Sequence, residues 1–180
     1  FGCITTAPVV VTVNTTPTLT VQDTTTCSPN TIDLTDATYW STDVGTVTYF
    51  EADGITVVAD ETAVGAGAYV LSANNLGCIA VANVTVTVNA LPVIAAVPSD
   101  PTLCNGVDGN IEVTLSSGPT SLGVLDWTGT ASGTNGSADV TVDSPDINAL
   151  GAGSYNVTFT DVNGCVSNTE LVVLTNPGAP

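Results

Sequence analysis

The chain has 180 residues, with 17 acidic side chains against no Lys, no Arg and no His, a formal net charge of −17. Without cations it cannot displace counterions from a nucleic-acid backbone or hold anionic lipid headgroups through basic side chains. Acid–base catalysis by His, Schiff-base chemistry on Lys and phosphate clamping by Arg are excluded in the same way.

Only 9% of residues are charged and 43% are hydrophobic, which is the composition of a Thr- and Val-rich β protein rather than of a disordered acidic tail. With no basic partner, each carboxylate has to be solvated, hydrogen-bonded to backbone amides, or neutralised by a bound cation. No apolar run reaches the length of a membrane span, and Phe1 opens the chain without a signal-peptide pattern, so a mature or excised segment is expected.

In chain order, Gly2-Cys3-Ile4 is followed by a β-rich stretch, Val9 to Asn14. The same context returns at Gly77-Cys78-Ile79 with Val84 to Asn89, and at Gly164-Cys165-Val166 with Leu171 to Asn176. Cys27 and Cys104 each open a unit. Gly65-Ala-Gly-Ala-Tyr69 and Gly151-Ala-Gly-Ser-Tyr155 precede the later cysteine of each. This order is an internal repeat. It places one domain over residues 15–90 and a second over 91–176, with 177–180 starting a linker. Residues 1–14 read as the terminal strand of a preceding unit, or as a strand donated to a neighbour.

Val84, Val86 and Val88 alternate with Thr85 and Thr87, and Tyr155, Val157 and Phe159 alternate with Asn156, Thr158 and Thr160. A period of two marks strands with one buried face. Asp53-Gly54 predicts a two-residue hairpin turn with positive φ at both central positions. Many short strands closely punctuated by turns give the expected fold class: all-β, two tandem immunoglobulin-like antiparallel sandwiches. Tyr69 and Tyr155 stand where a tyrosine-corner residue stands, at the start of the strand leading to the second cysteine.

Domains this small sit near the lower limit for an unaided core. One intradomain disulfide in each, Cys27 with Cys78 and Cys104 with Cys165, is the expected staple, each contributing about 4 kcal/mol on the loop-entropy estimate. That implies an oxidising compartment. Cys3 is left over, unpaired or engaged in an intermolecular disulfide. Thiolate metal ligation has no CxxC pair and no His to support it.

The second domain resembles the repeat of the giant gliding-motility adhesins and related surface proteins of Bacteroidetes. The likeness rests on Cys104-Asn-Gly-Val-Asp108-Gly-Asn-Ile, Trp127, and Ala152-Gly-Ser-Tyr155-Asn-Val-Thr-Phe-Thr-Asp161-Val-Asn-Gly-Cys165. The first is similar to the companion Ig-like module through Cys27-Ser-Pro-Asn-Thr-Ile-Asp-Leu, Thr48-Tyr-Phe and Asn75-Leu-Gly-Cys78. The resemblance implies type IX secretion to the cell surface and an adhesive or spacer role; neighbouring Ig-like domains are the expected partners, and no enzymatic activity is expected of a chain without His, Lys or Arg. A self-assembling filament subunit joined by strand addition is the alternative. A carbohydrate-binding module is another.

Three candidate sites accompany this reading. Trp40 is the candidate for stacking on a surface polysaccharide, whereas Trp127 is expected to pack in the core. No cofactor is expected; Asn105, Asp108 and Asn110 form an oxygen-rich turn that is the candidate site for calcium, against the alternative of solvated turn residues, since the EF-hand spacing is absent. Paired carboxylates, Asp60 with Glu61 or Asp143 with Asp146, lack the deep cleft a glycosidase needs.

Overall fold

The computed structural model describes residues 2–118, 122–131, 133–139 and 147–178, with the backbone alone over 134–139. Every regular element among them is a β-strand: β1 Leu19–Val21, β2 Thr24–Cys27, β3 Trp40–Thr42, β4 Thr46–Glu51, β5 Gly67–Asn75, β6 Cys78–Asn89, β7 Val93–Ser99, β8 Gly109–Ser117, β9 Leu122–Gly129, β10 Gly133–Asp139, β11 Ile147–Leu150, β12 Gly153–Asp161 and β13 Glu170–Leu174. The chain divides into two compact units, Phe1–Thr26 with Thr31–Thr87, and Cys27–Asn30 with Val88–Pro180.

In the second unit the sheet β10-β9-β12-β13 faces the sheet β11-β8-β7. The alternating residues meet between them: Tyr155, Val157 and Phe159 of β12, Ile111 and Val113 of β8, Val172 and Leu174 of β13, and Leu125 of β9 form one buried cluster. Side chains two apart on a pleated strand share a face, so each strand contributes every second residue. Trp127 lies on central β9, half-buried against this cluster, as expected of it.

The first unit contains the sheet β2-β6-β5-β4 and the short pair β1-β3. Val84 and Val86 point inward and are buried, together with Tyr69, Leu71 and Ala73 of β5. Among the described residues this unit's other pairing includes the short β1-β3 ladder and an isolated bridge between Ile32 and Val64. Turns replace strands here. Asp33 accepts hydrogen bonds from the Thr35 N–H (2.8 Å) and hydroxyl (2.6 Å), Asp36 from the Thr38 N–H, and Asp60 from the N–H and hydroxyl of Thr62. These Asp-x-Thr turns carry Ile32, Leu34 and Val64 into the core.

The β5–β6 hairpin closes on Leu76 (φ 52°) and Gly77 (φ 94°), between the paired residues Asn75 and Cys78. It is a two-residue turn with both central residues at positive φ. The turn expected at Asp53-Gly54 differs: only Gly54 has positive φ, and the loop closes from Glu51 to Thr56. The Asp53 carboxylate accepts the N–H groups of Ile55 and Thr56, both at 2.8 Å, and this side-chain-closed turn replaces the tighter one.

Both tyrosine corners form. The Tyr69 hydroxyl donates to the Gly65 carbonyl at 3.1 Å and the Tyr155 hydroxyl to the Gly151 carbonyl at 2.8 Å, each four residues upstream.

Candidate interaction site: an unpaired terminal segment and three thiols

The carboxylates find backbone donors. Asp23, Asp43, Asp100, Asp108 and Asp161 each accept main-chain N–H groups, as do the turn-forming Asp33, Asp36, Asp53 and Asp60. Asp161 is the buried acid among the described residues, and it accepts from the N–H groups of Asn163 and Cys165, both at 2.9 Å. The carboxyls of Asp43 and Asp100 are held below the usual 3.8 by the backbone N–H groups of Thr18 and Thr175. Those of Asp53 and Asp108 are held below it chiefly by the hydroxyls of Thr56 and Thr102. Hydrogen bonds to the charged form favour ionisation.

Asp108 is therefore engaged by Thr102, through its N–H at 3.2 Å and its hydroxyl. The Asn105 N–H reaches the Asn176 side chain at 3.3 Å, and Asn110 sits in the β8 ladder opposite Ser99. Among the described residues no group of three or more His, Cys, Asp or Glu could hold a metal ion. Asp143 and Asp146 lie outside the described residues.

Trp40 starts β3 and is half-buried. Its indole N–H donates to the Leu34 carbonyl at 2.8 Å, and its ring meets Tyr49 edge-on at 6.3 Å. With Tyr39 and Ala37 it borders an open depression of about 280 Å³.

The expected disulfide pairs are not the observed ones. Cys27 is bonded to Cys165, with the Cα atoms 5.6 Å apart, while Cys3, Cys78 and Cys104 are free thiols. The strand directions explain this. The Thr85 N–H donates to Asp23 and the Ser28 N–H to the carbonyl of Asn89, so β2 runs alongside β6 in the same direction and places Cys27 at the Asn89 end. Cys78 begins β6, 11 residues away along the strand, which is about 36 Å at strand rise. In the second unit Asn105 contacts Asn176, near the β12 end where Gly153 pairs with Leu174. Cys165 follows Asp161 at the other end of β12, about 26 Å along the strand. A disulfide needs Cα atoms within about 7 Å. Neither loop-closing pair meets this.

The feature that sequence reading pointed to and the structure leaves without a ladder is the segment before Asn14. Ile4, Val9, Val10, Val11 and Val13 are 80–90% exposed. Residues 2–14 match residues 77–89 without a gap, and nine of the thirteen positions are identical. Val9 and Val11 correspond to Val84 and Val86, which are buried in β6. Among the described residues the segment is anchored at its root: the Asn14 side chain donates to the Leu76 carbonyl, Asn75 donates to the Thr15 carbonyl, and the Cys78 thiol donates to the Asn14 carbonyl.

No protein-family model matches the chain, and no curated protein matches it in sequence. Among solved structures it is similar to titin domains A168–A170, at 15% identity and a TM-score of 0.50, over 87% of this chain and 65% of that one. It also aligns with the four N-terminal Ig domains of Dscam1 isoform 4.44, at 14% identity and a TM-score of 0.36, over 89% of this chain and 46% of that one. The chain thus spans less than two thirds of the structures it matches. At such identity the titin likeness speaks for the fold alone: the chain is an all-β protein built of Ig-like modules with a disulfide.

Proposed function

We propose that this chain is a structural and adhesive segment of an extracellular cell-surface repeat protein, in which successive Ig-like units space or display binding elements. The observation that carries the reading is the segment 2–14. It repeats the sequence of the last strand of a unit and exposes the valines that such a strand buries. About 25 cal/mol per Å² of exposed apolar surface favours covering it. A preceding unit, either upstream in the same polypeptide or in a neighbouring molecule, supplies the matching face.

The disulfide supports an oxidising compartment. No described helix is long and apolar enough to cross a membrane. With no Lys or Arg the chain offers no tryptic site, a property that suits exposure outside a cell. Export by the type IX route belongs to the same proposal through the resemblance to gliding adhesins.

The test is the denatured, reduced mass of material from the native source. A mass far above 18 kDa supports a long surface array. A mass near 18 kDa moves the function to a filament subunit joined by strand addition. An intracellular, fully reduced protein overturns both.

A second reading, a carbohydrate-binding module, draws on the depression bordered by Tyr39 and Trp40. Affinity electrophoresis in a panel of soluble polysaccharides tests it. Retardation lost in Trp40→Ala supports the module; no retardation in any polysaccharide removes it.

A further inference from the structure

The open depression of the first unit lies on the ladder that joins β1 to β3. Thr20 pairs with Ser41 and Val21 with Trp40, and the Gln22 N–H donates to the Tyr39 carbonyl at 2.8 Å, which carries the same register one step further. Residues opposite one another on an antiparallel pair share a face, and the face alternates at each step along the strand. Thr20, Ser41, Gln22 and Tyr39 therefore lie on one face, where the Thr20 and Ser41 hydroxyls share a hydrogen bond of 2.7 Å. Val21 and Trp40 lie on the other. The Trp40 indole is committed there: its N–H donates to the Leu34 carbonyl at 2.8 Å, and its ring meets Tyr49, whose strand partner is the buried Leu71.

The aromatic ring on the outer face is thus that of Tyr39, half-buried and opposite exposed Gln22. None of the residues lining the depression is charged. They offer hydroxyls and a carboxamide that both donate and accept hydrogen bonds, beside a ring with an apolar body and a polar tip. A sugar presents the complementary surfaces, a C–H face and a rim of hydroxyls. One lip of the depression is held in place by its own turn, in which the Asp36 carboxylate accepts the Thr38 N–H at 2.9 Å and the Asp36 carbonyl accepts the Tyr39 N–H at 3.1 Å. A wall fixed before binding lowers the ordering cost of association. A glycan bearing carboxylates or sulfates would find no cation in the chain and would be repelled by its net charge of −17.

We propose that the outer face of β1 and β3 binds an uncharged polysaccharide, with Tyr39 stacking on a sugar ring and Gln22, Thr20 and Ser41 hydrogen-bonding the sugar hydroxyls, while Trp40 supports the wall from behind. This rests on the carbohydrate-module reading above and deepens it, moving the stacking platform from Trp40 to Tyr39 and naming the class of ligand. Because the depression is open, it takes a sugar within a polymer as readily as one at its end.

The experiment is affinity electrophoresis of the full 180-residue chain in gels containing neutral glucans, mannans or xylans, and in parallel gels containing alginate, polygalacturonate or chondroitin sulfate. Retardation is expected in at least one neutral polysaccharide and in none of the acidic ones. Tyr39→Ala should weaken that binding about tenfold, and Tyr39→Phe, which keeps the ring, should bind as the parent does. Gln22→Ala removes an exposed side chain outside the core and should weaken binding about fivefold, so the site stays testable even where Tyr39→Ala loosens the wall. Binding unchanged in Gln22→Ala or Tyr39→Ala, or retardation confined to the acidic polysaccharides, overturns the proposal and leaves the module reading standing. Retardation in no polysaccharide removes both.

Discussion

The two units share one half and differ in the other. In both, a strand opened by a tyrosine corner pairs with a last strand that follows Gly-Cys, and the inward residues are spaced by two. In the second unit that half packs against a three-stranded sheet and the unit contains the disulfide; in the first the remaining layer is made of the short pair β1-β3, the Asp-x-Thr turns and an isolated bridge. A sandwich thus tolerates replacement of strand pairing by side-chain-closed turns on one layer, provided the turns satisfy their own backbone groups. In a chain without cations, those turns also supply the hydrogen-bond donors that stabilise the carboxylates.

Each unit holds one tryptophan, Trp40 in the first and Trp127 in the second. Urea unfolding followed by fluorescence of the Trp40→Phe and Trp127→Phe backgrounds therefore reads the units separately. The largest effect expected is from Cys27→Ser. Loss of a bridge spanning 138 residues lowers the second unit's stability by about 5 kcal/mol on the loop-entropy estimate, while Cys78→Ser leaves it unchanged. If Cys78→Ser instead weakens the first unit as strongly, the pairing read from spacing is restored.

Phe159→Ala, at a fully buried site between the two sheets of the second unit, should cost about 3–5 kcal/mol in the Trp127 transition. Leu34→Ala, equally buried but carried on a turn, should cost about 2–4 kcal/mol in the Trp40 transition. A far smaller loss there would show that the turn layer collapses into the space. Asp161→Ala removes the buried acceptor of two N–H groups and should cost about 2–3 kcal/mol in the second unit alone.

Tyr69→Phe and Tyr155→Phe should each cost about 1 kcal/mol, in the first and second transition respectively. Unequal values would mean that the corner is not the same device in both units.

The smallest effects are those of pH. Carboxyls held below 3.8 contribute stability that is present above the unfolded value and lost as pH falls through the folded one, so both units should weaken below about pH 3.8 as Asp43, Asp53, Asp100 and Asp108 protonate. Burial raises the Tyr49 phenol, aided by Glu61 and Asp33, and raises Tyr69, aided by Glu51. Their contribution is full below pH 10 and lost above it, so a first unit indifferent to alkali would contradict this placement.

Much of the core was legible from local pattern. Val84, Val86, Tyr155, Val157 and Phe159 are buried where period-two alternation put them. The two tyrosines close the corners that their position before Gly-Cys suggested. The Leu76-Gly77 turn was not legible, because leucine is not a residue that announces positive φ; it is seen only in the structure, where Asn75 pairs with Cys78. Asp53-Gly54 announced a turn but not its closure, which depends on a carboxylate reaching two amides.

By itself the sequence determined the class, the repeat and the fate of charge: alternation sets which side chains share a face, and the lack of cations forces carboxylates onto amides, hydroxyls or water. Which thiols meet was decided only by tertiary structure. Spacing along the chain measures the loop that a disulfide would close, whereas the bond itself requires two Cα atoms within a few ångströms of each other. That condition depends on the end of the strand at which each cysteine lies. Because β2 runs the same way as β6, it carries Cys27 away from Cys78 and to the end of the strand where Cys165 is its partner.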